Sequence, residues 1–86
     1  MNASAVVLIE AERTAMQTLG AELAALAGVR RVYGVTGEWD FVVTIDVDVH
    51  SKLRTVITET LNSIDVVART QTLVALDTYE GTGGPA

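Results

Sequence analysis

Val35-Thr36-Gly37-Glu38-Trp39-Asp40-Phe41 separates two apolar runs, residues 29–35 and 41–47. Both runs are rich in β-branched residues and bounded by turn formers, so both read as strands. Residues 37–40 then make a hairpin connection of ordinary length. Gly37 can take a positive φ and leaves its N–H bare. Asp40 sets a carboxylate close by, and Trp39, the sole tryptophan, falls where the chain is expected at the surface. N–H groups beside a carboxylate suit a zwitterion: the N–H groups take its carboxylate and Asp40 its ammonium. A plain tight turn, with Trp39 folded back onto the sheet, fits the same residues.

Upstream of the turn, residues 5–11 (Ala-Val-Val-Leu-Ile-Glu-Ala) read as a first strand after a short frayed end at 1–4. Val7 and Ile9 point to one face, Val6 and Leu8 to the other, so both faces are apolar. A helix is expected from Thr14, where Thr14-Ala-Met-Gln17 has the capping-box pattern. Met16, Leu19, Leu23, Leu26 and Ala27 recur at helical spacing, and Gly28 stands in the position of a C-terminal glycine. Downstream of the turn, Phe41, Val43, Ile45 and Val47 alternate with Val42, Thr44, Asp46 and Asp48. Asp48 suits the N-cap of a second helix over 49–63, with Leu53, Ile57, Leu61 and Ile64 as its buried stripe. A last strand follows at 66–77, with Thr70, Thr72, Val74 and Leu76 on one face. Residues 1–79 therefore read as one domain and 80–86 as a disordered, Gly-rich tail.

The order βαββαβ predicts an α+β, ferredoxin-like fold: a four-stranded antiparallel sheet with two helices on one face. The other sheet face is left to water or to a partner. A chain of 86 residues buries only roughly 60–65% of its unfolded surface. Yet 49% of its residues are hydrophobic and mean hydropathy is +0.34. Apolar side chains on an open face would form a large exposed patch. A homodimer with the two open faces packed together, a dimeric α/β sandwich, is the expected solution.

Composition narrows the function. Charged residues interrupt every apolar segment, so no membrane span is expected, and no signal-peptide pattern opens the chain. With no cysteine there is neither disulfide framework nor thiolate metal site, which fits a cytoplasmic location. A net charge of −5 opposes binding to phosphate backbones. Tyr33 and Phe41 alone are too few aromatics for an RNA-stacking sheet of this topology. Asp46, Asp48 and His50 form a possible metal constellation, but a capping aspartate beside a solvated histidine explains them more simply, and no metal or other cofactor is expected. Ser4, Ser51 and Ser63 lack a nucleophile-elbow context. Glu10 and Glu12 read as solvated charges, and no catalytic residue is assigned.

Three stretches resemble a known family: Leu26-Ala-Gly-Val29, then Val32-Tyr33-Gly-Val35-Thr36-Gly37-Glu38-Trp39-Asp40-Phe41, then Arg69-Thr70-Gln-Thr72-Leu73-Val-Ala-Leu76. Together they resemble the effector-binding module of the Lrp/AsnC family, also called the RAM domain. The resemblance implies a non-catalytic, regulatory module that dimerises through its sheets and assembles further into octameric rings, a tetramer of dimers. It implies an amino-acid effector between dimers, held by Thr36, Gly37, Glu38, Trp39 and Asp40 and by Thr70 and Thr72 of a neighbouring subunit. In that scheme Gly37 and Glu38 offer N–H groups to the carboxylate, Asp40 takes the ammonium and Trp39 walls the pocket. Family regulators carry a helix-turn-helix before this module. Only residues 1–4 precede the first strand here, so a stand-alone RAM protein is expected, with no direct contact to nucleic acid, that co-assembles with full-length Lrp/AsnC regulators. Ser63-Ile-Asp65-Val66 also departs from the family's usual Pro-Gly before the last strand. An ACT-like regulatory domain, a small dimeric monooxygenase-type enzyme and a purely structural assembly subunit share the topology. Interface geometry, a polar pocket between sheet and helices, or an empty cleft between subunits would set them apart.

Overall fold

Alternation of buried and half-buried side chains along the strands sets the sheet. In the computed structural model, which describes residues 3–48, 50–62 and 64–86, the first strand β1 spans Ala3–Ala11. Ala3, Ala5, Val7 and Ile9 are buried on one face, and Ser4, Val6, Leu8 and Glu10 are half-buried on the other. Ala3 and Ser4, expected to fray, are held in the ladder opposite Val47 and Asp46. Met1 and Asn2 lie outside the described residues.

The remaining strands are β2 (Val29–Gly34), β3 (Phe41–Val47) and β4 (Val67–Val74). All neighbours run antiparallel, in the order β2-β3-β1-β4. Phe41, Val43 and Ile45 join the buried face of β1, as the alternation predicts. The last strand stops short of residue 77. Ala75 N–H still reaches Ser4 O at 2.9 Å, but residues 75–86 carry no further helix or strand, and Leu76 and Tyr79 stand 92% and 90% exposed.

The first helical segment differs from expectation. Thr14 caps nothing. Glu12 N–H is bonded to Val66 O at 2.8 Å, and the chain then turns tightly through a 3-10 turn at Arg13–Ala15. The α-helix proper, α1, is Leu19–Ala24, and no side chain caps it. Tethering Glu12 to the start of β4 forces this tight turn, which buries Ala15 instead of forming a capping box. Of the predicted stripe, Leu19 and Leu23 are fully buried, while Met16 is 38% exposed. Gly28 does not close the helix, whose C-cap is Ala25. It opens β2 at φ 86°, against Val56.

The second helix, α2, spans His50–Asn62. Leu53 and Val56 are buried and Ile57 is partly so, with Ile64 buried just beyond. Val49, Ser63 and the side chains of His50 and Leu61 lie outside what is described. Both helices pack on the face formed by Val7, Ile9, Val43 and Ile45, in a single core. The other face of the sheet carries Val6, Leu8, Val42, Tyr33 and Leu73, with Tyr33 at 45% and Leu73 at 48% exposure. Among the described residues no helix is long and apolar enough to cross a membrane.

Candidate ligand-binding loop

The β2–β3 connection is braced from both sides. Val35 N–H donates to Asp40 O at 3.0 Å, and Asp40 N–H donates to Ile9 O at 2.9 Å. The Asp40 side chain continues the same tie: Ala11 N–H donates to its Oδ2 at 2.9 Å. One carboxylate oxygen therefore closes the C-terminal end of β1, where the strand would otherwise leave an N–H without a partner. Within this brace Gly37 sits at φ 113°. Among the described residues no hydrogen bond takes up the N–H groups of Gly37 and Glu38, and both residues are exposed.

A β-carbon at Gly37 would meet nothing within 4 Å, so only the backbone angle opposes a side chain there. Gly37→Ala is expected to cost about 1–3 kcal/mol, read by chemical denaturation, and to move the loop's N–H groups.

Trp39 is half-buried and faces β4. The guanidinium carbon of Arg69 lies 4.4 Å from its ring centroid, a cation–π contact. Arg69 Nη2 also pairs with Glu38 Oε1 at 3.1 Å and with Glu10 Oε2 at 3.3 Å. The hydrogen bond to Glu38 is the chief cause that raises the Arg69 pKa above its ordinary value, so this group is charged at every accessible pH. Neither Arg69 nor Glu10 stood out as a site residue in the sequence. The signal is the antiparallel register, which sets Glu10 opposite Arg69 once β1 and β4 are paired.

Thr70 and Thr72 pair with Ile9 and Val7 and so share the helix side of the sheet, at its β4 edge. Thr70 is half-buried and Thr72 exposed. Among the described residues no hydrogen bond joins either hydroxyl, or the exposed Thr36, to the loop. Of the possible metal constellation, the His50 side chain lies outside what is described. Asp46 accepts from Ser4 Oγ and from Arg30 Nη1, and Asp48 pairs with Lys52 at 3.1 Å. No group of three metal-ligating side chains occurs among the described residues. A depression of about 380 Å³ lies on the open sheet face, lined by Ser4, Val6, Arg31, Tyr33, Thr44 and Asp46, away from the loop.

A split βαββαβ unit with an uncovered sheet face is a ferredoxin-like α+β module. The chain is a member of the Lrp/AsnC ligand binding domain family, whose model matches residues 4–85. That family is regulatory, not catalytic. Among solved structures, TTHA0845 from Thermus thermophilus is 35% identical with a TM-score of 0.82, covering 92% of this chain and 99% of its own. The hypothetical protein PHS023 from Pyrococcus horikoshii is 25% identical with a TM-score of 0.79, covering 92% and 94%. The fold also recurs in the Neisseria meningitidis regulator NMB0573, solved as an L-Met complex, at 17% identity and a TM-score of 0.79. That match covers 98% of this chain and 56% of the regulator. No curated protein matches the chain in sequence.

Proposed function

We propose that this protein is an amino-acid-binding regulatory module whose effector is held by residues 36–40. The observation that carries this reading is the pair of unused N–H groups at Gly37 and Glu38 beside a carboxylate already fixed in place. The effector carboxylate is received by those N–H groups and its ammonium by the second oxygen of Asp40. Trp39 walls the side chain, and Thr70 and Thr72 of a neighbouring copy add their hydroxyls. The domain occupies residues 1–79, with 80–86 as a tail. The L-Met complex of a regulator with the same fold supports an amino acid as the ligand class.

Assembly completes the site. The apolar open face, carrying Val6, Leu8, Val42 and Leu73, is covered by the same face of a second copy. Dimers join into a ring of four, and the module modulates full-length Lrp/AsnC regulators by entering their assemblies inside the cell.

A thermal-shift screen of the twenty amino acids, coupled to native mass spectrometry, tests this reading. Ligand at a hundredfold excess over its Kd adds about 2.7 kcal/mol. Asp40→Asn keeps an acceptor for Ala11 N–H but removes the charge. It is expected to retain the unliganded melting temperature and to lose the ligand shift. A full shift in Asp40→Asn would remove Asp40 as the ammonium partner, and no shift with any amino acid would remove the sensing function.

A further inference from the structure

Among the described residues Arg69 is the cation tied directly to the loop, and its contacts are unevenly committed. Both ion pairs use Nη2, and among the described residues nothing bonds to Nη1 or Nε. The side chain is 47% exposed, its Glu10 partner 39% and its Glu38 partner 68%. Exposed pairs of this kind contribute little net stability and exchange readily. The Trp39 ring and Glu10 nevertheless fix where the guanidinium lies, since Glu10 sits on a central strand directly opposite Arg69. The more exposed of the two carboxylates, and so the one that solvent or a ligand can reach, is Glu38, on the loop itself. Its own N–H is one of the two without a partner.

These contacts form an occupied anion seat. A guanidinium presents a planar fork that matches a carboxylate with two parallel hydrogen bonds, stronger than a single bond through one nitrogen. A carboxylate arriving at the loop meets both the fork and the backbone N–H groups of Gly37 and Glu38. The Glu38 side chain holds the seat meanwhile.

We propose that Arg69 is the carboxylate-binding residue of the effector loop, and that the Glu38 side chain is an internal competitor which the effector's carboxylate displaces. The inference rests on the reading of residues 36–40 as the effector site and adds a specificity to it. The ligand must be a carboxylate. The amide of the same amino acid cannot take the fork with two acceptor oxygens, and leaves the Glu38–Arg69 pair closed. The two residues therefore act with opposite sign. Losing Arg69 weakens binding, whereas losing the charge of Glu38 strengthens it.

The test titrates wild type, Arg69→Met and Glu38→Gln with each of the twenty amino acids and its carboxamide. Fluorescence of Trp39, the sole tryptophan, gives the readout, and calorimetry gives the constants. All altered side chains are exposed, and circular dichroism checks that each variant folds. The amino acid that binds wild type is expected to bind Arg69→Met about tenfold more weakly and Glu38→Gln about threefold more tightly. Its carboxamide should bind wild type and Arg69→Met alike. Equal losses for acid and amide in Arg69→Met would make Arg69 a prop for the loop and overturn the inference. So would weaker or unchanged binding in Glu38→Gln. In both cases the sensing function stands, because wild type still binds. Absence of binding to wild type and to Glu38→Gln alike overturns both readings together.

Discussion

Gly28→Ala is expected to lower stability by about 2–5 kcal/mol. Gly28 sits at φ 86°, where an L side chain is strained wherever it points. The added Cβ would lie 2.7 Å from Val56 Cγ2 and 3.1 Å from its Cγ1. Valine in a helix is confined to essentially one rotamer, so Val56 cannot swing clear and α2 must shift from the sheet. In a domain of this size each kcal/mol lowers Tm by about 4–8 °C. The two costs separate in a double-mutant cycle with Val56→Ala, measured by urea unfolding. Shortening Val56 is expected to relieve the collision and leave the backbone strain. If Gly28→Ala unfolds at the same urea concentration as wild type, the close approach of α2 to the start of β2 is wrong.

Leu8→Asp is expected to separate the copies without unfolding them. Leu8 lies on a central strand, facing away from the helices, between Val42 and Gln71. It takes no part in the buried core, so an aspartate there is solvated in a lone chain. In a back-to-back dimer the same carboxylate is trapped without a partner, at about 3–5 kcal/mol. A two-fold axis sets the residue from both copies into one interface, so the cost is incurred twice. At about 1.4 kcal/mol per factor of ten, dissociation rises by a factor of about ten thousand or more. Size-exclusion chromatography with light scattering reads the mass, and far-UV circular dichroism confirms the fold. A variant that still elutes with wild-type mass would place the interface elsewhere, for instance along the exposed edges of β2 or β4.

The strands were legible because their side chains alternate. Phe41-Val-Val-Thr-Ile-Asp-Val47 can satisfy a half-buried sheet in only one phase, and the buried face of β3 follows. The first helix was less legible. Thr14 and Gln17 have capping chemistry, but the bond from Glu12 N–H to Val66 O fixes where the chain leaves β1, and that partner is remote in sequence. Val56 was missed for a similar reason: it fills the notch left by Gly28, and a periodicity counts stripes, not notches. At the loop, Gly37 and Asp40 could be read from residue type alone. Asp40's bond to Ala11 could not, nor could Arg69, since both depend on which strand lies beside β1. Glu10, read as a solvated charge, belongs to the Arg69 network through the same register.

The proposed effector site draws on Thr70 and Thr72 of a neighbouring copy, and the proposed dimer covers the open sheet face, so both require that the protein self-associates. Sedimentation velocity of the wild-type protein at micromolar concentration tests this most directly. The predicted result is a dimer or a ring of dimers, with the amount of ring changing when the amino acid found in the thermal screen is added. A single boundary at the mass of one chain, unchanged by any amino acid, would contradict it.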